Sequence, residues 1–136
     1  MKTVFYKIAF YAIFCLCFFT ACKKSNPNDS LAAFQPEISN LTDNFQLQAT
    51  NVKQLSTVIE YNWTNTGTMA AIDKSGVLTA GTANLTIFDK NGTNVYSSSL
   101  QTTGSATTSA GIAGLWKIRV NLSTYDGTLN FRAQKK

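Results

Sequence analysis

The chain has 136 residues, of which only 14% are charged, and a formal net charge of +5. This length predicts one folded domain, and abundant Thr, Ser, Asn and Gly beside few charges are typical of an extracytoplasmic all-β protein. Half of the twelve basic residues lie near the two ends of the chain, which leaves six basic against seven acidic residues elsewhere. Because the body of the protein is nearly neutral, its charge does not predict nucleic-acid binding. The terminal basic residues are Lys2, Lys7, Lys23, Lys24, Lys135 and Lys136.

The residue types present exclude several chemistries. The chain has no histidine, so the commonest general base is missing and a histidine-based catalytic triad is excluded. Of its three cysteines, Cys15 and Cys17 lie in an N-terminal apolar run, which leaves Cys22 as the only cysteine expected in the mature chain. One cysteine provides neither an intrachain disulfide nor a thiolate metal site. We therefore predict no enzyme activity, no catalytic residue, no metal and no cofactor.

The N-terminal segment has the organisation of a signal peptide. A short basic stretch from Met1 to Lys7 precedes an apolar run from Ile8 to Phe19. A bilayer core of about 30 Å needs about 20 apolar residues, so this run is too short to span it. A transmembrane anchor is the alternative, but Lys23-Lys24 end the apolar run. We predict a signal peptide over residues 1–21.

The four residues Phe19-Thr20-Ala21-Cys22 resemble the lipobox of bacterial lipoproteins, in which an aliphatic residue and then small residues precede the cysteine. Phe19 departs from that pattern. The resemblance implies that Cys22 becomes the acylated, palmitate-bearing first residue and anchors the protein in a membrane. Lys23 directly after Cys22 implies sorting to the cell outer membrane, with its periplasmic or surface face left open. The alternative is an ordinary cleavage site beside an unrelated cysteine.

Residues 22–35 are polar, contain Pro27 and lack an apolar period, which predicts a flexible tether. Leu31 to Phe34 are the exception, because they suit a short helical turn or a first segment docked on the domain. From Phe45 onward, apolar residues alternate with polar ones, which is typical of strands with one buried face. The predicted strands are 45–50, 55–64, 68–72, 83–88, 93–100, 116–122 and 129–133.

Turn residues separate these strands. Asp89-Lys90-Asn91-Gly92 is the strongest hairpin signal, because Asn-Gly accepts the positive φ values of a type I′ turn. Gln101 to Gly111 is predicted as a loop or a loosely specified edge, and Tyr125-Asp126-Gly127 as a turn. Seven to eight strands with regular turns predict an antiparallel, jelly-roll-like β-sandwich over residues 36–136.

Two segments are similar to hairpins of the bacterial pre-peptidase C-terminal domains, which are jelly-roll modules. Residues 114–131 resemble their last hairpin, and residues 81–96 resemble their central one. The resemblance implies the fold and carries over no functional residue.

The acidic residues have structural explanations. Asp73, Asp89 and Asp126 lie in Gly-containing turns, where Asp caps its own backbone, and Glu60 falls on the wet face of a strand. The Asp89-Lys90-Asn91-Gly92 stretch superficially resembles the start of a calcium loop. It lacks the spaced third acid and the terminal glutamate of such loops, and a hairpin turn explains the same residues.

Aromatic side chains are the remaining candidates for binding. Strand alternation predicts that Tyr61, Trp63 and Trp116 lie in the core, which leaves Tyr96, Tyr125 and Phe88 as candidate glycan-facing rings. We therefore expect a non-catalytic outer-membrane lipoprotein that acts as a structural or protein-interaction module of the cell envelope, with an envelope protein as its partner. The alternative function is a carbohydrate-binding module at the cell surface.

Overall fold

A computed structural model describes the chain from Pro27 to Lys136, with side chains from Ser30 onward. The predicted signal peptide and Cys22 lie outside the described residues. A 3₁₀ helix, Pro27–Phe34, precedes seven strands, all paired antiparallel, so the predicted all-β antiparallel fold is confirmed. The strands are β1 (Glu37–Leu41), β2 (Asn44–Asn65), β3 (Ala70–Lys74), β4 (Val77–Phe88), β5 (Asn94–Ser99), β6 (Gly104–Thr107) and β7 (Gly114–Lys135).

The last strand organises the sheet. One edge of β7 pairs with β2 along almost its whole length, from Asn65 opposite Gly114 to Asn44 opposite Gln134. Its other edge pairs first with β4 and then with β3. The remaining strands extend the sheet outward, since β1 pairs with β2, β5 with β4 and β6 with β3. All seven strands are therefore hydrogen-bonded into one continuous sheet.

The two long strands bend in the middle and fold this sheet onto itself. The pairing register of β2 shifts three times between Ala49 and Thr57, and Asn51, Gln54 and, on β7, Thr124 have left-handed φ values of 43° to 54°. Such bulges bend a strand without ending it. We call this part of the molecule the bend. The result is a two-layer β-sandwich whose layers share β2 and β7.

Contacts between the two halves of β2 demonstrate the folding. The backbone N–H of Asp43, just before β2, donates to the carbonyl oxygen of Thr64 near the end of β2, at 2.8 Å. The Asp43 carboxylate also accepts the backbone N–H of Thr66 at 2.7 Å. Phe45 from the first half lies 5.3 Å, centroid to centroid, from Tyr61 of the second half. The two ends of β2 therefore meet at one end of the sandwich, opposite the bend.

The core fills the space between the layers. Trp63 and Trp116 face each other edge to face, with ring centroids 5.9 Å apart, as predicted for core residues. The 3₁₀ helix also contributes, because Leu31 is fully buried, and Thr57 at the bend donates a hydrogen bond to Ser30 at 3.2 Å. Part of the segment that we predicted as a tether therefore packs against the domain at the bend.

Two of the predicted breaks between strands are wrong. Residues 45–50 and 55–64 belong to the single strand β2, and the predicted turn at Tyr125-Asp126-Gly127 lies inside β7. Asn, Asp and Gly suit turns because they tolerate unusual φ values, and the same property lets them form bulges within a strand. The stretch from 114 to 131 is consequently one bent strand, and the comparison with a terminal hairpin does not apply to it.

Candidate functional site

A groove of about 450 Å³ lies on the outer face of the layer that contains β4 and β5. Its floor is one row of the sheet, in which Asn62 on β2 pairs with Lys117 on β7, and Lys117 pairs in turn with Phe88 on β4. Leu115 and Arg119 flank this row, and the β4–β5 turn from Asp89 to Gly92 forms one wall. We call this site the Phe88 groove.

The wall of the groove is the predicted hairpin turn between β4 and β5. The structure confirms the hairpin but not the predicted type I′ form, because Gly92 has a positive φ and Asn91 does not. The Asp89 N–H donates to Thr93 O at 2.9 Å, and Gly92 takes the positive φ of 82° that the turn requires. Asp89 is buried, with only 4% of the residue exposed. Its carboxylate accepts hydrogen bonds from the backbone N–H groups of Ile112, Thr93 and Asn91 at 2.8 to 2.9 Å. These hydrogen bonds lower the pKa of Asp89, and the one from Ile112 has the largest effect. Asp89 thus orders the turn and fastens it to the loop before β7.

The charged floor of the groove is organised by Glu60. Its Oε1 accepts a hydrogen bond from Nε of Arg119 at 2.7 Å and forms an ion pair with Nη2 of Arg119 at the same distance. Its Oε2 lies 3.4 Å from Nζ of Lys117. The hydrogen bond from Arg119 is the main cause that lowers the pKa of Glu60. The Arg119 guanidinium in turn lies over the Phe88 ring, 5.0 Å from its centroid. The Phe88 ring, the Arg119 guanidinium and the Lys117 ammonium group therefore lie close together around Glu60.

The structure brings one of the three candidate aromatics to this groove. Phe88 is half-buried and lines it. Tyr96 is half-buried on β5, and its hydroxyl has no hydrogen-bond partner among the residues that the structure describes. Tyr125 is only 2% exposed, donates its hydroxyl to Val77 O at 3.2 Å, and has its pKa raised to about 12 by burial. The Tyr125 ring is therefore not available at the surface.

Several residues of the groove were not singled out by the sequence. Asn62, Lys117 and Arg119 are the polar residues of an alternating pattern, which predicts the wet strand faces on which they lie, but nothing local predicts that they lie beside Phe88. Their proximity depends on the pairing of β4 with β7, two strands separated by more than twenty residues of chain. The available signal was the alternation of Lys117 and Arg119 with core residues, combined with the Asp89–Gly92 turn.

Of the six large apolar side chains that are exposed in the described part of the chain, three lie at the end of the sandwich opposite the bend, whereas Val77 lies at the bend. Leu115 is 55% exposed and lies on β7 opposite Thr64, while Leu41 and Ile112 are exposed to a similar degree. The carbonyl oxygen of Leu41 accepts the indole N–H of Trp63, and that of Ile112 accepts the indole N–H of Trp116. All three residues therefore surround the end of the core where the two tryptophans lie. We call Leu41, Ile112 and Leu115 the distal rim.

Two comparisons with known proteins found no match for this chain. No protein-family model matches it, and no curated protein matches it. Between Pro27 and Lys136, none of the helical structure is long and apolar enough to cross a membrane. Within that same part of the chain, no group of three His, Cys, Asp or Glu side chains is arranged to hold a metal ion.

Proposed function

We propose that the protein is a non-catalytic lipoprotein, anchored in the outer membrane through acylated Cys22, that acts as a structural or protein-interaction module of the cell envelope. The observation that supports this function is the position of the distal rim. Monomeric proteins rarely gather exposed apolar side chains without an interaction to cover them. Leu41, Ile112 and Leu115 are all exposed at the same end of the sandwich, the end farthest from the segment that leads to Cys22.

Chain length supports this orientation. Only four residues lie between Cys22 and Pro27, and even a fully extended chain spans at most about 17 Å over that separation. The 3₁₀ helix that follows packs at the bend through Leu31 and Ser30. From Thr57 at the bend to Asn65, β2 extends by about 25 Å. A lipid on Cys22 would therefore hold the bend near the membrane and direct the distal rim away from it.

Carbohydrate binding is the second candidate function, and the Phe88 groove favours it. Sugar sites commonly combine an apolar ring surface with amide groups that hydrogen-bond to hydroxyls. Phe88 provides the ring, while Asn62 and Asn91 line the same groove. A volume of about 450 Å³ lies within the usual range for small-ligand sites.

Photo-crosslinking in the intact envelope tests the primary proposal. A photoreactive residue at position 115 should yield a discrete protein adduct, because Leu115 belongs to the distal rim. The matched control is position 77, since Val77 is just as exposed but lies beside Tyr125 at the bend. The adduct should be absent from position 77 and should be lost in Cys22→Ala. Equal adducts from both positions, or only background products from position 115, would contradict the proposal.

A further inference from the structure

We propose that the Phe88 groove binds an acidic sugar, a pyranose ring carrying a carboxylate, with Lys117 on the carboxylate and with the sugar beside the Arg119 guanidinium that lies over the Phe88 ring. This inference rests on the carbohydrate-binding candidate and adds the charge of the ligand. It joins three features of one surface: the Phe88 ring, the amides of Asn62 and Asn91, and a cluster of cations.

The position of the groove favours a sugar over an acidic peptide. Extended peptides are commonly recognised by main-chain hydrogen bonds at an open strand edge. The floor of the Phe88 groove is the face of a sheet, where the backbones of β2, β7 and β4 are already paired with one another. Only side chains are left to bind a ligand there. Amides and ammonium groups around a ring suit a compact ligand with many hydroxyls.

The charges in the groove favour an anion. Lys90, Lys117 and Arg119 contribute three positive charges, against which stand Glu60 and Asp89. The Asp89 carboxylate faces the backbone N–H groups of Ile112, Thr93 and Asn91, which offset its charge locally. The Nζ of Lys117 is 3.4 Å from Glu60, a loose contact, and its side chain is partly exposed. Lys117 is therefore positioned to turn from Glu60 to a ligand carboxylate.

Glu60 acts as a positioning residue with two opposing effects. Its hydrogen bond and ion pair hold the Arg119 guanidinium over the Phe88 ring. Its negative charge also competes with a ligand anion for Lys117. Replacing Glu60 with glutamine keeps one acceptor oxygen for Arg119 and removes the charge. An acidic sugar should then bind more tightly, which a purely structural role for Glu60 would not produce.

The test is calorimetric titration of the full chain, purified in detergent, with tetragalacturonate as the probe. The methyl ester of the same tetrasaccharide is the matched neutral ligand, and pentaglutamate is the acidic peptide. We expect saturable binding of tetragalacturonate alone. Lys117→Ala should weaken it about fivefold or more, because a charge-assisted hydrogen bond is lost at a partly exposed site. Glu60→Gln should strengthen binding about threefold, because it removes the repulsion between the Glu60 carboxylate and the ligand carboxylate at a site that is exposed to water.

Matched variants keep the result interpretable. Lys53→Ala removes an exposed positive charge at the bend, and Asp73→Asn removes a carboxylate that pairs with Arg132 on the other layer. Neither should change binding, whereas Phe88→Leu, which keeps the apolar volume, should weaken it. Unfolding midpoints will confirm that each variant is folded.

Four outcomes would overturn the inference. Equal binding of the methyl ester would retain a carbohydrate site but refute the acidic ligand. Equal binding of pentaglutamate, or the same loss in Lys53→Ala as in Lys117→Ala, would show nonspecific charge attraction. No binding of either saccharide would refute this inference together with the carbohydrate candidate, and it would leave the protein-interaction proposal standing if the adduct at position 115 is found.

Discussion

Replacing Trp63 with alanine is expected to lower the free energy of unfolding by about 3–5 kcal/mol. Trp63 is fully buried, packs edge to face on Trp116 at 5.9 Å, and donates its indole N–H to Leu41 O at 3.1 Å. The substitution removes the ring, leaves a cavity between the layers and breaks a link between β1 and the end of β2. A domain of this size is typically stable by about 5–15 kcal/mol, so the loss is a large share of the total.

Urea denaturation followed by the fluorescence of Trp116 will measure this loss. The control is Leu115→Ala, which removes a large apolar side chain from the neighbouring surface and should change the free energy of unfolding by about 0.5 kcal/mol or less. If the two variants lose similar stability, Trp63 does not lie in the core between the layers, and the folding of the sheet onto itself is wrong.

Replacing Gly127 with alanine is expected to cost about 3 kcal/mol or more, because backbone strain and a steric clash act together. Gly127 lies on β7 at the bend with a φ of 150°. A Cβ atom there would collide with the carbonyl oxygen of Val77 on β4 and would lie 3.0 Å from the Tyr125 hydroxyl. The close approach of β4 to β7 at the bend therefore requires a residue without a side chain.

Gly104 provides a matched control, since its φ of 151° is nearly the same. A Cβ atom added to Gly104 meets no other atom of the described chain within 4 Å. Gly104→Ala should therefore show only the cost of strain, about 1 kcal/mol. Thermal unfolding of both variants separates the two contributions. Equal midpoints would indicate that β4 does not approach Gly127 as closely as the structure requires.

Alternation of apolar and polar residues was sufficient to predict most of the strand residues and most of the core, although β1 and the first half of β4 were not predicted. It located Trp63 and Trp116 correctly, because a period of two specifies which side chains face inward whatever the neighbouring strand is. It failed at the bend. Tyr125-Asp126-Gly127 has the composition of a chain reversal, and local sequence does not distinguish a reversal from a bulge within a strand whose neighbours continue.

The candidate site could be predicted only in part for a related reason. Strand alternation does not place Phe88 among the predicted core aromatics, and Phe88 lines the groove. Tyr125 was also left outside the predicted core. In the structure its ring is buried at the bend, where its hydroxyl donates to Val77 O. The contacts of Lys117 and Arg119 with Glu60 and Phe88 cross three strands. Such contacts depend on strand pairing over long separations, which residue types alone do not specify.

We propose that a lipid on Cys22 holds this sandwich at a membrane. The resemblance of Phe19-Thr20-Ala21-Cys22 to a lipobox, and the packing of Leu31 and Ser30 at the bend, are the two observations behind it. Mass spectrometry of the mature N-terminal peptide from native membranes is the most direct test. We predict a chain that begins at Cys22 and carries fatty acyl groups. An unmodified Cys22, or a mature chain that begins at Lys23, would contradict the account.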